Sequence, residues 1–176
     1  MRLPLPVGGG TLQPMLRTLV RQLTPDDWRI LREIRLAALA DAPDAFLMTY
    51  ADAVVLDQEQ WRIRTIRSDM FAAFVGGEPV GLVGLFGPAP AKDPAAPAGD
   101  HTLVAMWVAP ALRGTGVADS LIDAAVGRAT SLRATGVRLE VAPGNVRAEK
   151  VYARHGFAVT DETPEITGGT IMRRAL

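Results

Sequence analysis

Apolar residues recur along the chain in short runs separated by turn-forming segments. Residues 17–23 (RTLVRQL) alternate between polar and apolar, which predicts a first strand. MFAAFV (70–75) and VGLVGLF (80–86) flank the turn segment GGEP and predict a hairpin. Further strands are predicted at TLVAMWV (102–108), VRLEVA (137–142), GFAVT (156–160) and GTIMRRAL (169–176).

Helical spacing separates these strands. Thr24 is a suitable N-cap and Pro25 suits a first helical position. Apolar residues then follow at helical spacing, and Pro43 ends this first helix. The other predicted helices cover about 57–67, 117–132 and 145–154. Helices interspersed among strands predict an α/β (α+β) domain, in which a mixed sheet carries helices on both faces.

Two segments rich in glycine and proline fit neither pattern. Residues 1–14 (MRLPLPVGGGTLQP) cannot continue a helix or a central strand, so we expect a flexible N-terminal extension before a domain over 15–176. Residues 87–100 (GPAPAKDPAAPAGD) predict a mobile loop that joins two strands of that domain.

Composition narrows the class of protein. With 19 basic and 19 acidic residues in 176, the chain has no net field that would attract nucleic acid or an acidic membrane. The absence of cysteine excludes disulfides, thiolate metal sites and an acyl-cysteine intermediate. Two histidines make a histidine metal site a poor expectation. No apolar run reaches the roughly 18 residues of a membrane span, and we expect a cytoplasmic protein without metal.

The stretch LRGTGVA (112–118) places two glycines between a predicted strand and a predicted helix. The first amides of a helix lack internal partners, and with the helix dipole they attract anions such as phosphate. Glycine lets the backbone approach a ligand closely, and Arg113 adds positive charge. The amides of Gly114, Thr115, Gly116, Val117 and Ala118 can therefore cradle a pyrophosphate, although an ordinary tight turn would show the same residues.

Other phosphate-binding motifs fit this turn less well. No Lys-Ser/Thr pair follows a glycine, as a nucleoside triphosphatase needs. The dinucleotide fingerprint requires a third small residue where this chain has Asp119, whose charge would face the phosphates. A nucleotide-binding oxidoreductase is therefore disfavoured.

A second group of residues lies in LEVAPGNVRAEKVYARHGF (139–157). Asn145 and Tyr152 are seven residues apart, which places them on one helix face about 10 Å apart. An amide and a phenol on one line could hold a long ligand at two points. Asn145 could equally serve only as a helix cap, and Tyr152 only as a core aromatic residue.

Together the two groups resemble the GNAT superfamily of N-acetyltransferases. The acetyl-CoA motif of that family is an Arg or Gln, two residues, a Gly, one residue, then a Gly or Ala, matched by Arg113, Gly116 and Ala118. The family's downstream pattern is matched by Asn145, Ala148, Tyr152 and Gly156-Phe157. The resemblance is close over about residues 80 to 160 and loose over the amino-terminal half.

The resemblance implies a single domain with a mostly antiparallel sheet of six to seven strands, about four flanking helices and a splayed central strand pair. It implies that acetyl-CoA is the co-substrate and that the acceptor is a primary amine, either a small molecule or a peptide amino group. Backbone groups of Met106, Trp107 and Val108 would pair with the pantetheine arm, and Asn145 would help to hold it. Tyr152 would protonate the leaving thiolate.

The general base is less well defined. The resemblance implies an acidic group near the start of the central strand, where the chain reads GDHT, so Asp100 and His101 are candidates. Glu140 on the adjacent strand is another candidate. We expect His101 to act as the base because its ordinary pKa is suitable, although it could simply be an exposed residue at a strand end.

The resemblance also implies an acceptor pocket shaped by residues 41–52 and 161–169. Both segments are acidic, which would favour a cationic amine. Homodimers are common in the family, and MFAAFV and TIMRRAL are apolar strands that offer edges to pair or to bury, although the sequence does not say which edge is free. A non-catalytic acyl-CoA-binding or sensor module of the same fold remains the alternative to an enzyme.

Overall fold

The computed structural model describes residues 17–87 and 99–176. The proposed N-terminal extension and most of the loop over 87–100 lie outside the described residues. The described part contains seven strands, β1 to β7, and five α-helices, α1 to α5. The strands are Leu19–Gln22, Asp69–Val75, Glu78–Phe86, Asp100–Val108, Gly136–Val141, Ala158–Val159 and Thr170–Ala175. The helices are Trp28–Asp41, Tyr50–Val54, Gln58–Arg67, Val117–Ser131 and Val146–Arg154.

Two elements differ from the sequence-based prediction. The turn at Pro25–Asp27 is a 3-10 helix, so the α-helix begins only at Trp28. The short helix α2 was not predicted; it begins where the Thr49 hydroxyl accepts a hydrogen bond from the Asp52 amide at 3.1 Å. No helix within 17–87 or 99–176 is long and apolar enough to cross a membrane.

All seven strands form one sheet in the order β1-β2-β3-β4-β5-β7-β6. Every neighbouring pair is antiparallel except β4–β5, which is parallel. The expected mixed, mostly antiparallel sheet is therefore confirmed. The sequence left open which strand edge is free, and the structure shows that MFAAFV and TIMRRAL are both paired on two sides: β2 lies between β1 and β3, and β7 lies between β5 and β6. The homodimer itself stays a prediction, and pairing through a sheet edge would have to use β1 or β6.

The sheet separates two hydrophobic cores. On one face α4 and α5 cover a core that includes Val83, Leu121 and Tyr152. On the other face α1 and α3 cover a core that includes Leu82 and Trp61. Neighbours such as Leu82 and Val83 enter opposite cores because side chains alternate along a strand. Helices on both faces, as predicted, thus bury a sheet that is apolar on both sides.

The pairing between β4 and β5 stops early. Only Asp100 to Thr102 pair with β5, opposite Gly136 to Arg138. Further along, β4 stays paired with β3 and β5 stays paired with β7, so the two strands diverge. A β-bulge in β4 accompanies the divergence: two residue steps on β3 oppose three on β4, and Ala105 has a φ of 55°. The expected splayed central pair is present at this point.

A polar clamp holds the paired end of β4 and β5 to β7. The Asp100 carboxylate accepts hydrogen bonds from Arg173 Nε at 2.5 Å, from Arg173 Nη2 at 2.8 Å and from the Thr135 hydroxyl at 2.7 Å. The bonds from Arg173 hold the pKa of Asp100 below its ordinary value. Asp100 therefore holds the paired ends of β4 and β5 together and is not a free base.

We predict that Asp100→Asn lowers the melting temperature at neutral pH, because the amide cannot form the bidentate ion pair with Arg173. A carboxyl group whose pKa is lower in the folded state stabilises the fold at pH values above its unfolded-state pKa. This stabilisation is lost as the pH falls through the folded-state pKa. The difference from wild type should therefore shrink below about pH 3.8, the ordinary aspartate value. The measurement is the difference in melting temperature between wild type and Asp100→Asn, recorded by circular dichroism over a range of pH. Asp161→Asn, at an exposed site without a hydrogen bond to the described residues, is the control.

Candidate active site

The glycine turn before α4 requires a backbone that few residues adopt. Gly116 has a φ of 92° and is the N-cap of α4, and Gly114 has a φ of 85°. These are left-handed values, which a side chain disfavours. The Ser120 amide donates to the Gly116 carbonyl at 3.1 Å, so the amides of Val117, Ala118 and Asp119 precede the internal hydrogen bonds of the helix. The turn thus presents free amides at the positive end of a 15-residue helix.

A cavity of about 510 Å³ lies in front of this turn, between the start of α4 and α5. Its lining includes Gly114, Gly116 and Ala118 together with the basic residues Arg147, Lys150 and Arg154 of α5. A β-carbon at Gly116 would have no atom within 4 Å, and the nearest atom to one at Gly114 would be Arg147 Nη2 at 3.7 Å. Backbone amides and three basic side chains therefore face one open volume, as a polyphosphate requires.

Asp119 does not place an unpaired negative charge in that cavity. Its Oδ1 lies 2.8 Å from His155 Nε2 and accepts a hydrogen bond from Arg154 at 3.1 Å. The bond with His155 and the neighbouring Arg154 guanidinium hold the pKa of Asp119 below its ordinary value. The ionised carboxylate is thus neutralised by α5 and joins the two helices that flank the cavity.

Arg113 has a structural role that the sequence did not suggest. Its Nε donates to the Val108 carbonyl at 3.0 Å, and its Nη2 pairs with Asp41 at the end of α1. Asp41 also accepts a hydrogen bond from Trp107 Nε1 at 2.9 Å. Arg113 therefore fastens the glycine turn to β4 and α1, and it lines the cavity while paired to a carboxylate.

The predicted pantetheine-binding strand borders the gap left by β5. Met106, Trp107 and Val108 line a cavity of about 250 Å³, together with Asn145 and Tyr152. The Ala109 amide donates to the Val80 carbonyl on β3 at 2.8 Å. Because amides of an antiparallel strand alternate in direction, the Val108 amide points away from β3 and into the gap. It is therefore available to a ligand inserted between the strands.

Tyr152 lies at the centre of the split. Its side chain is buried, its ring packs edge-on against Phe157 at a centroid distance of 5.8 Å, and its hydroxyl makes no hydrogen bond with the described residues. Burial raises the pKa of Tyr152, so the phenol is protonated at neutral pH. Tyr152 lines both the 250 Å³ cavity and an adjoining one of about 100 Å³.

Asn145 is a helix cap that also faces the cavities. Its Oδ1 accepts a hydrogen bond from the Ala148 amide at 3.1 Å, as the capping interpretation requires. Asn145 also lines both cavities that contain Tyr152. With Oδ1 engaged by the cap, the side-chain amide nitrogen is the group left for a ligand.

The cavities adjoin one another along the split and are together called the passage below. The 510 Å³ cavity at the glycine turn shares Val108 and Arg113 with the 250 Å³ cavity, which shares Met106 and Tyr152 with the 100 Å³ cavity. That small cavity in turn shares Phe46 and Glu140 with a cavity of about 430 Å³ on the far side. A long ligand entering from the glycine turn would thus meet a second ligand near Tyr152.

The far cavity is bordered by the segments predicted to shape the acceptor pocket. Residues 45–48 and 165–166 both line it. Most acidic residues of these segments form ion pairs or hydrogen bonds, or do not line the cavity. Asp41 pairs with Arg113, Asp52 hydrogen-bonds Thr49 and Glu162 pairs with Arg138. Asp44 is exposed and does not line the cavity, whereas Glu165 does.

The three candidate bases lie in different places. His101 is buried in the paired part of β4 and lines none of the four cavities of the passage. The alternative interpretation, that His101 is simply an exposed residue at a strand end, is therefore wrong as well. Asp100 is engaged in the clamp with Arg173. Glu140 lines both the 100 Å³ and the 430 Å³ cavities, and its Oε1 accepts a hydrogen bond from the Ile166 amide at 2.5 Å.

The structure thus brings most predicted site residues together and adds others. The expectation that the Thr115 amide belongs to the cradle is wrong, because this amide donates to the Leu112 carbonyl at 3.4 Å, as does the Thr115 hydroxyl at 2.7 Å. The Val117 side chain lies in the core, so Val117 can contribute only its amide. The sequence analysis missed the basic face of α5, although Arg147, Lys150 and Arg154 recur at helical spacing and could have been recognised. Within the described residues, no cluster of His, Asp and Glu could hold a metal ion.

A mixed sheet with a splayed parallel pair, a glycine turn at a helix start and a phenol in the split define an acyl-CoA-dependent acyltransferase. A sequence model described as the acetyltransferase (GNAT) family matches residues 31–157, so the chain belongs to that family. Its general chemistry is therefore acetyl transfer from an acyl-CoA.

Solved structures share this fold. A GNAT-family acetyltransferase from Streptococcus pneumoniae is 18% identical, with a TM-score of 0.74 over 91% of this chain and 100% of that chain. The GNAT domain of S. lividans PAT is 23% identical, with a TM-score of 0.71 over 89% of each chain. The paia N-acetyltransferase from Thermoplasma acidophilum, solved in complex with coenzyme A, is 16% identical, with a TM-score of 0.68 over 91% of this chain and 99% of that chain. No curated protein sequence matches the chain significantly.

We predict opposite effects for two alanine substitutions in the segment of α4. Gly116→Ala should lower the free energy of unfolding by about 1–2 kcal/mol, because alanine disfavours left-handed backbone. It should also weaken coenzyme A binding, because the new methyl group occupies the cradle in front of the amides. Gly127→Ala, at an exposed helical position with no atom within 4 Å of the added carbon, should stabilise by roughly 1 kcal/mol and leave binding unchanged.

Urea unfolding and calorimetric titration with coenzyme A measure these two quantities. Wild-type affinity in Gly116→Ala, with Gly127→Ala behaving as expected, would show that the cradle lies elsewhere.

Proposed function

We propose that this protein is an N-acetyltransferase that transfers the acetyl group of acetyl-CoA directly to a primary amine within a ternary complex. The observation that carries the proposal is the continuous passage through the split of β4 and β5, with Tyr152 at its centre. The pyrophosphate would lie on the glycine turn, and the pantetheine arm along Met106 to Val108. The acetyl carbon would then lie near Tyr152, with the amine arriving from the cavity that contains Glu140.

The Val108 amide is well placed to stabilise the transition state. Attack of an amine on a thioester carbonyl places negative charge on the carbonyl oxygen, and preorganised donors in a site without bulk water stabilise that charge strongly. The Val108 amide points into the gap and has no partner on β3. It is therefore the proposed oxyanion donor, and Arg113 Nε holds the next peptide unit of β4 by its bond to the Val108 carbonyl.

Tyr152 is the proposed proton donor to the leaving thiolate. Burial keeps the phenol protonated, which makes it a donor at neutral pH. The same desolvation would weaken it as an acid. However, desolvation also disfavours the thiolate anion, which raises the proton affinity of the leaving sulfur and favours its protonation. Proton transfer would accompany the breaking of the carbon–sulfur bond.

Glu140 is the proposed acceptor of the proton from the amine, directly or through water. It lies where the acceptor cavity meets the cavity of Tyr152, and the hydrogen bond from the Ile166 amide orients its carboxylate. His101 is left out of the proposed mechanism because it is buried away from the passage. The chain contains no cysteine, which fits direct transfer without an acyl-cysteine intermediate.

Ligand-induced stabilisation and turnover test the proposal together. Acetyl-CoA should raise the melting temperature, whereas NAD and ATP at equal concentration should not. Release of coenzyme A can then be followed with a thiol reagent over a panel of amines, because the protein has no thiol of its own. Binding of acetyl-CoA without turnover of any amine would instead indicate a sensor module.

We predict that Tyr152→Phe lowers kcat by about 10²- to 10⁴-fold if general-acid catalysis is lost. The affinity for acetyl-CoA should change little, because phenylalanine keeps the ring packed against Phe157. The chain has one other tyrosine, Tyr50, which is exposed on α2, so Tyr50→Phe is the matched control and should retain wild-type kcat. Unchanged kcat in Tyr152→Phe, with single-turnover experiments showing that chemistry limits the rate, would reduce Tyr152 to a packing residue.

A further inference from the structure

Two arginines border the acceptor cavity without any carboxylate partner. Arg35 on α1 and Arg64 on α3 line the 430 Å³ cavity. Neither guanidinium forms an ion pair with the described residues or donates a hydrogen bond to them. Arg35 Nη1 and Arg64 Nε are buried nitrogen atoms without a hydrogen-bond acceptor. Buried hydrogen-bond donors almost always have an acceptor in folded proteins. Two buried donors without acceptors in one cavity therefore indicate that a ligand supplies the acceptors.

Aromatic contacts position both guanidinium groups but do not satisfy them. The guanidinium carbon of Arg35 lies 4.4 Å from the centroid of the Phe46 ring, and that of Arg64 lies 5.5 Å from the centroid of the Trp61 ring. A ring face attracts the positive charge of a guanidinium but offers its N–H groups no conventional hydrogen-bond acceptor. The rings therefore contact the arginines without satisfying their buried donors.

The electrostatics of the cavity favour an anion. Burial, together with repulsion from Arg64, lowers the pKa of Arg35 to about 10, so both groups are charged at neutral pH. Of the other charged groups that line the cavity, Arg138 pairs with Glu162, and Glu140 accepts a hydrogen bond from the Ile166 amide. Glu165 is exposed. Neither the Arg35 nor the Arg64 guanidinium forms an ion pair with the described residues, so an anionic ligand would offset the cost of burying their charge.

Apart from these charged residues and Thr102, the lining is apolar. Phe46, Met48, Val104, Leu103, Ile166 and Ile171 surround the space between the arginines and Glu140. A ligand that fills this cavity therefore needs an anionic group for the arginines and an apolar body. On the proposed function it also needs an amine directed toward Glu140 and Tyr152.

We propose that the acceptor is an amine that also carries a carboxylate, bound by Arg35 and Arg64, of which α-amino acids with apolar side chains are the simplest members. This inference rests on the proposed function of the same passage. It replaces the expectation of a cationic acceptor, which depended on acidic residues that the structure mostly pairs or directs away from the cavity. A carboxylate suits the two groups because the guanidinium edge matches its two oxygens.

Matched pairs of acceptors test the carboxylate directly. Leucine, methionine and phenylalanine are each compared with their amides at saturating acetyl-CoA, with coenzyme A release as the readout. Loss of a charged hydrogen bond predicts a kcat/KM lower by about 10- to 100-fold for the amides. The amides have the less basic amine and hence more of the reactive neutral form, so amine basicity would produce the opposite preference. Equal or better turnover of the amides in all three pairs would overturn the inference and leave the acetyltransferase intact.

Variants of the arginines separate binding from folding. Arg35→Met and Arg64→Met should raise the KM for the amino acid by about 10-fold or more, with the KM for acetyl-CoA and the turnover of the amide unchanged. Their melting temperatures without ligand should be equal to or above that of wild type, because an unpaired buried charge has been removed. Arg29→Met, at an exposed position of α1, is the control. A lower melting temperature with equal losses for acid and amide would show that the arginines are structural.

A binding measurement decides the inference even if no amine turns over. N-acetyl-L-leucine and N-acetyl-L-leucinamide are titrated calorimetrically against the protein saturated with coenzyme A. The acid should bind at least about 10-fold more tightly than the amide to wild type and equally to Arg35→Met. Equal binding of acid and amide to wild type would overturn the inference. Failure of acetyl-CoA to bind at all would count against the proposed function, whichever of the two acetylated compounds binds.

Discussion

The early end of the pairing between β4 and β5 is the constraint on which the rest of this structure depends. Buried strands normally satisfy their backbone groups along their whole length, so an unpaired stretch in the middle of a sheet is costly unless a ligand completes it. Here the unpaired stretch begins after Thr102 and Arg138, and the clamp around Asp100 holds the other end of the short paired stretch. The bulge at Ala105 then turns β4 away. An open passage through the sheet follows directly.

The elements around the passage are held by polar contacts between distant parts of the chain. Arg113 joins the glycine turn to the end of α1 and to the Val108 carbonyl, while Asp119 joins α4 to α5. These contacts fix the edges of the passage without filling it. The amides of the turn, the Val108 amide and the Tyr152 hydroxyl consequently face open space, and each is a group that a thioester of coenzyme A can use.

The two ends of the passage differ in the charges they leave unpaired. Both ends expose basic groups, but at the glycine turn these surround backbone amides and suit a polyphosphate. At the far end, Arg35 and Arg64 lie within an apolar lining, which suits a single small anion attached to a hydrophobic body. Glu140 lies between that anion site and Tyr152. On the proposed function, the carboxylate and the amine of the acceptor and the thioester of the co-substrate would follow one another in this order.

The local residue pattern determined much of this protein. Strand and helix positions followed from periodicity, the turn at Gly116 from two glycines before an amphipathic helix, and the cap at Asn145 from its place before α5. These features are local, because they depend on neighbours within a few residues. Together with the order of the two motifs, they were sufficient to predict the mixed sheet and the family.

Only the tertiary structure decided which groups face one another. It paired Arg113 with Asp41, placed β2 and β7 inside the sheet, buried His101 away from the passage and left Arg35 and Arg64 without carboxylates. The sequence separation between Arg35 and the acidic segments that suggested a cationic acceptor does not predict whether their side chains are in contact. Whether a charge is neutralised depends on the side chains that the fold brings within about 4 Å, and that is a property of packing in three dimensions.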